Sequence, residues 1–207
     1  MKNVLAIGAH PDDLEVGCFG TLLKHKMNGD KVHVAITTQG GCGRRTLKIM
    51  DQEQNRSLKI LKPDSVVNFD NPNGQVKIGW KTVSEIDNVI TKYKIDTIYT
   101  LWYGDSHQDH QETFRIVMAA CRKGRVDNVY CCELGNYVFH AHVPFRPQLF
   151  VDISDTIDAK MKAIGCYKSY FSSEDLESIK SLNKYRGSCC RSEYAEAFEI
   201  IREVNRA

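Results

Sequence analysis

Short β-branched or apolar runs alternate with longer stretches of helical periodicity along the chain. Val4–Gly8, Lys31–Thr38, Ser65–Phe69, Ile95–Leu101, Asn128–Leu134 and Gln148–Ile153 predict six strands. Val16–Asn28, Leu47–Leu61 (Leu58 and Leu61 on one face), Thr82–Lys94 and Gln111–Arg122 predict the helices between them. Helices around Asp155–Phe171 and Ser173–Lys184 follow the sixth strand. Asn71-Pro72-Asn73-Gly74 reads as a turn, and Arg186-Gly187-Ser188 as a break before a final short helix. Strands alternating with helices predict an α/β fold: a Rossmann-like, doubly wound, mostly parallel sheet with helices on both faces. No repeat, low-complexity tract or linker divides it, so a single domain is expected over residues 1–207.

Composition mainly excludes. Hydrophobic residues make up 42% and charged residues 26%, as in an ordinary soluble protein. A net charge of +2 is too small for a nucleic-acid or membrane-surface footprint, and no apolar run is long enough to span a bilayer. The 8 cysteines include two adjacent pairs, Cys131–Cys132 and Cys189–Cys190, and no Cys-x-x-Cys. With no signal peptide ahead of the first strand, the expectation is a cytoplasmic protein with reduced thiols.

Two clusters carry candidate chemistry. Ala9-His10-Pro11-Asp12-Asp13 follows the first strand. It reads either as a turn with an acidic helix cap or as a metal loop. In the second reading adjacent carboxylates share a cation, because two acids so close resist ionising together without one. His107-Gln108-Asp109-His110 follows the fourth strand, and alone it reads as a polar loop with surface histidines. His25, His33, His140 and His142 have no such neighbours and are read as non-functional. In a doubly wound sheet, strands one and four are neighbours where the winding reverses, and the loops leaving their carboxyl ends line the ligand crevice. Two metal-capable clusters therefore fall where the fold makes its pocket. Two histidines and one carboxylate form a catalytic zinc set with open positions, and the same set suits iron(II).

At these residues the chain resembles the PIG-L/LmbE-like deacetylases, almost end to end. Leu14-Glu15-Val16-Gly17 and Gly20-Thr21-Leu22 are similar to the bacillithiol-type branch. Val151-Asp152-Ile153-Ser154, Lys160, Lys162-Ala163, Arg186-Gly187 and Tyr194-Ala195-Glu196-Ala197-Phe198 resemble later family segments. The resemblance implies zinc-dependent hydrolysis of the acetamide of an N-acetylated sugar such as an N-acetylglucosamine conjugate. It implies zinc on His10, Asp13 and His110, Asp12 as general base, and His107 as general acid or oxyanion stabiliser, oriented and charge-tuned by Asp109. A neighbouring carboxylate should raise the pKa of His107 and favour its charged form. The resemblance also implies a homo-oligomer, a hexamer among the options.

The chain departs from the family at three points. Gln108 stands where Pro is usual in the second motif. Met50 stands where members often carry a substrate-binding Arg, with Arg44, Arg45 and Arg56 as substitutes and Arg45 the chosen candidate. The Gly-containing loop Thr38–Gly43 lacks the acidic residue often found after its first glycine.

Trp102 and Tyr103, just before the second cluster, are candidate pocket walls for a sugar, whereas Trp80 is assigned to packing. Arg186 and Glu196 read either as helix-surface charge or as groups that shape the pocket or an interface, and Cys189–Cys190 as incidental thiols. Gly40, Gly41 and Gly43 match neither the dinucleotide fingerprint nor a Walker loop. Two rival readings remain: a metal-dependent hydrolase of another amide, an ester or a phosphoester, and a non-catalytic Rossmann-like nucleotide-binding module.

Overall fold

The computed structural model describes residues 1–39, 46–123, 126–135 and 143–205. A seven-stranded sheet comprises β1 (Asn3–Gly8), β2 (Lys31–Thr38), β3 (Ser65–Asn71), β4 (Thr97–Leu101), β5 (Asn128–Cys132), β6 (Leu149–Asp152) and β7 (Ala195–Arg202). Its order is β3-β2-β1-β4-β5-β7-β6. The first five strands are parallel, whereas β7 runs antiparallel between β5 and β6. The helices are α1 (Asp13–Gly17), α2 (Phe19–Met27), α3 (Leu47–Leu61), α4 (Trp80–Tyr93), α5 (Gln108–Ala120), α6 (Ile157–Ile164) and α7 (Ser173–Cys190).

The Rossmann-like expectation holds. β2 is buried from its second residue onward, as a parallel strand covered on both faces must be, while β3, at the sheet edge, alternates along its length. Val4, Ala6, Val32, Val34 and Ile36 face Leu14, Phe19, Leu22, Leu61 and Ala163, so α1, α2, α3 and α6 cover one side. Leu5, Ile7 and Ala35 face Ile86, Ile90, Ile116 and Val117 of α4 and α5 on the other. Burial on this scale stabilises by roughly 25 cal/mol per Å² of apolar surface removed from water.

Three local readings change. The helix expected from Val16 to Asn28 breaks at Cys18. There the Glu196 carboxylate accepts the Gly20 and Thr21 backbone N–H groups, which the first turn of α2 leaves without helical partners. Arg186-Gly187-Ser188 does not break a helix, because α7 continues to Cys190. Gly187 is needed there for close approach: a Cβ would come within 2.6 Å of the Glu193 carbonyl oxygen. The expected final helix is strand β7, buried along its first five residues. Its two glutamates escaped a strand reading because each finds a buried donor set only in the folded chain. Glu196 takes Lys160 at 2.7 Å, and Glu199 takes the Trp102 indole at 3.1 Å.

Candidate metal and catalytic centre

β1 and β4 pair directly, so the strand order reverses between them and the loops leaving both carboxyl ends meet. His10 Nδ1 lies 3.2 Å from His110 Nε2. Asp13 Oδ1 is 3.3 Å from His110 Nε2, and Asp13 Oδ2 is 3.7 Å from His10 Nδ1. Asp13 is fixed from behind by the Ala9 and His10 backbone N–H groups, which donate to Oδ2 at 2.8 Å each. The far nitrogens of both imidazoles meet carboxylates: His10 Nε2 with Asp109 at 3.0 Å, and His110 Nδ1 with Asp105 at 2.9 Å. Ligating histidines are commonly oriented in this way from their outer nitrogen.

Charge follows geometry. Burial is the largest influence on His10 and lowers its pKa, but hydrogen bonds to Asp109 and Asp13 outweigh it and push the pKa up to about 9. Burial likewise lowers His110, and Asp13 and Asp105 reverse this and push it up to about 10. Burial would raise the Asp13 carboxyl, yet the His110 charge and the two imidazole contacts hold it well below the usual carboxylate range. The cluster is thus a buried negative field built to hold positive charge.

Asp12 adopts φ 122, a left-handed conformation that side chains other than glycine rarely accept. It precedes α1 without capping it through its side chain, so the carboxylate is not committed to the helix end. It is buried beside Asp13.

His107 joins His10 and His110 in one cluster whose ligand atoms all lie within 4.8 Å of one another. One expectation about it is corrected. The Asp109 carboxylate turns to His10 and to the Gly74 and Val76 backbone N–H groups. It is the Asp109 backbone N–H that donates to His107 Nδ1, at 3.1 Å. The His107 pKa is lowered, not raised: burial and repulsion from His110 and His10 outweigh Asp109 and Asp13. A neutral ring that accepts at Nδ1 carries its proton on Nε2.

Other expected residues scatter. Trp102 is 5% exposed and its indole donates to Glu199; the Tyr103 hydroxyl donates to the same carboxylate at 3.0 Å. Trp80, assigned to packing, is 85% exposed. Arg186 pairs with Glu133, and Glu196 with Lys160 inside the core, so neither is surface charge. Met50 is buried in α3, and Arg56 reaches the Cys166 carbonyl at 3.5 Å. Arg44, Arg45, the glycines at 40, 41 and 43, His140 and His142 lie outside the described residues. His25 bonds Asp30 and Tyr99, and His33 bonds Ser65, in keeping with non-functional histidines. Cys189 and Cys190 donate to helix carbonyls. Asp105 was missed; its only trace in the sequence is an acid five residues before His110.

Residues 5–121 match the family model PIG-L, GlcNAc-PI de-N-acetylase, a stretch that contains both clusters. An uncharacterized deacetylase, YaiS, of Escherichia coli strain K12 is 28% identical over 176 residues, covering 81% of this chain and 91% of its own. The diacetylchitobiose deacetylase of Thermococcus kodakarensis is 25% identical over 228 residues, covering 97% and 84%. Among solved structures, the conserved protein TT1542 of Thermus thermophilus superposes with a TM-score of 0.86 at 25% identity, over 100% of this chain and 98% of its own. With the crevice clusters inside the matched region, the chain belongs to the PIG-L family and is an enzyme, a deacetylase that hydrolyses amides.

Proposed function

We propose that the protein removes the acetyl group from an N-acetylated sugar of the N-acetylglucosamine type, releasing acetate and a free amine. It does so with one divalent cation held by His10, Asp13 and His110, zinc first and iron(II) as the alternative. One observation carries the reading. Ligands about 2.0–2.2 Å from a tetrahedral zinc lie roughly 3.4 Å from one another; here the two imidazole nitrogens are 3.2 Å apart, and the Asp13 carboxylate meets His110 through Oδ1 at 3.3 Å and His10 through Oδ2 at 3.7 Å. The outer carboxylates Asp109 and Asp105, and the field that retains protons on two imidazoles, suit the same occupant.

A divalent cation at such a set polarises a carbonyl oxygen and makes water more acidic. Asp12, beside the ligating Asp13, accepts the proton of the attacking water as its oxygen bonds the acetyl carbon. His107 donates its Nε2 hydrogen to the developing oxyanion, a role that needs no positive charge on the ring. The proton held by Asp12 passes to the leaving nitrogen as the carbon–nitrogen bond breaks. His107 is thereby an oxyanion donor, and Asp109 fixes His10. Tyr103, a few residues before the second cluster, is a candidate wall for the sugar.

The T. kodakarensis relative's diacetylchitobiose supports the substrate class. Seven free thiols among the described residues support a cytoplasmic setting. The test is elemental analysis of the purified protein, joined to a free-amine assay over N-acetylglucosamine, N,N'-diacetylchitobiose, unrelated amides and phosphoesters. One metal per chain and amine release from the acetylated sugars are expected. Turnover of phosphoesters alone, or a protein that never takes up metal, overturns the proposal.

A further inference from the structure

The segment from Pro72 to Gly79 leads from β3 to α4 and is fastened to α5 twice. The Asp109 carboxylate accepts the Gly74 N–H at 2.6 Å and the Val76 N–H at 3.1 Å, while its Oδ2 also meets His10. The Ile78 N–H donates to Glu112 at 2.8 Å. Gly74 adopts φ +77, which turns the backbone so that both its own N–H and that of Val76 reach one carboxylate. The side chain that holds a candidate ligand thus also holds this stretch of backbone as a rim.

Gln108 sits against that rim. It is the first residue of α5, between His107 and Asp109, and is exposed. Its Nε2 lies 3.6 Å from where a Cβ on Gly74 would stand. Among the described residues its amide has no hydrogen-bond partner. Asn73 and Gln75 flank Gly74 in the chain, so the segment and Gln108 together carry three neutral primary amides, each both donor and acceptor. Asp13 and His110 are at most 5% exposed. An acetamide that reaches them leaves the remainder of its substrate at the level of Gln108. Neutral groups that donate and accept match sugar hydroxyls and offer nothing to select a phosphate or carboxylate.

We propose that Gln108, backed by the clamped segment 73–76, is a specificity-determining residue that hydrogen-bonds the hydroxyls of a second sugar ring joined to the acetylated one. This rests on the sugar N-deacetylase reading above. Two variants leave the fold intact: Gln108→Ala, and Gln108→Pro, since proline suits the first position of a helix and no described backbone bond is made by the Gln108 N–H. In both, the ratio of KM for N,N'-diacetylchitobiose to KM for N-acetylglucosamine should rise about tenfold with kcat for the disaccharide unchanged, as for loss of one hydrogen bond. An unchanged ratio, or a fall in kcat alone, overturns the proposal.

Binding is measured separately, by calorimetric titration of N,N'-diacetylchitobiose into the wild type and Gln108→Ala. A Kd about tenfold weaker in the variant sustains the rim contact, whether or not amine is released. Equal Kd values, or no binding to the wild type, overturn it. Amine release from neither sugar, by contrast, sinks the sugar-substrate reading on which this inference rests.

Discussion

Asp13, Asp105 and Asp109 at the crevice and Glu15, Glu53, Glu196 and Glu199 in the body of the protein are equally buried, yet they are answered differently. Each glutamate meets fixed donors. Glu15 accepts from Ser57 at 2.6 Å and Tyr167 at 2.8 Å, and Glu53 from the Ser169 hydroxyl at 2.6 Å and its N–H at 2.9 Å. Glu196 accepts from Lys160, and Glu199 from Trp102, Tyr103 and Arg146. The aspartates accept backbone N–H groups too, but each also faces an imidazole, whose positive charge is a removable proton. A carboxylate satisfied by permanent donors is architecture. One satisfied by histidines has a counter-charge that a metal ion can replace.

The comparison can be broken by substitutions on either side. The largest effect is expected for His110→Ala, which should lose bound metal and all turnover while remaining folded; full occupancy by elemental analysis would remove His110 from the ligand set. Next, Glu196→Ala strands the Lys160 ammonium in the core. It should cost about 3–5 kcal/mol in chemical denaturation, as for other broken buried pairs. Metal stoichiometry of the folded fraction should be normal, and loss of metal without loss of stability would erase the distinction.

Asp12→Asn should lower kcat roughly a hundredfold with metal retained, the usual scale for a general base; near-normal turnover would take Asp12 out of that role. Asp105→Asn tests the outer layer. It should weaken metal affinity about 10–100-fold without a matching drop in thermal midpoint, read by competition with a chelator.

Much of the fold was legible because periodicity reports burial. The buried run of β2 and the span of α3 were both read at their observed ends. β7 was not, because its acids are intelligible only once Lys160, Gly20 and Thr21 arrive from distant parts of the chain. Trp80 and Trp102 exchanged places for a related reason: aromaticity favours burial, but a tryptophan at the head of α4 has no layer above it, whereas Trp102 finds Glu199 for its indole N–H.

The sequence alone determined the alternation that makes the sheet, the two histidine–aspartate clusters and their place after strands one and four. All of these depend on residue order and local pattern. The tertiary structure alone decided which oxygen faces which nitrogen. Asp109 turns to His10 and the Gly74 rim, Asp105 backs His110, and His107 Nδ1 accepts the Asp109 backbone N–H with its pKa lowered by burial. Hydrogen-bond partners and charge states depend on distances of about 3 Å between groups up to a hundred residues apart, and no local pattern encodes them.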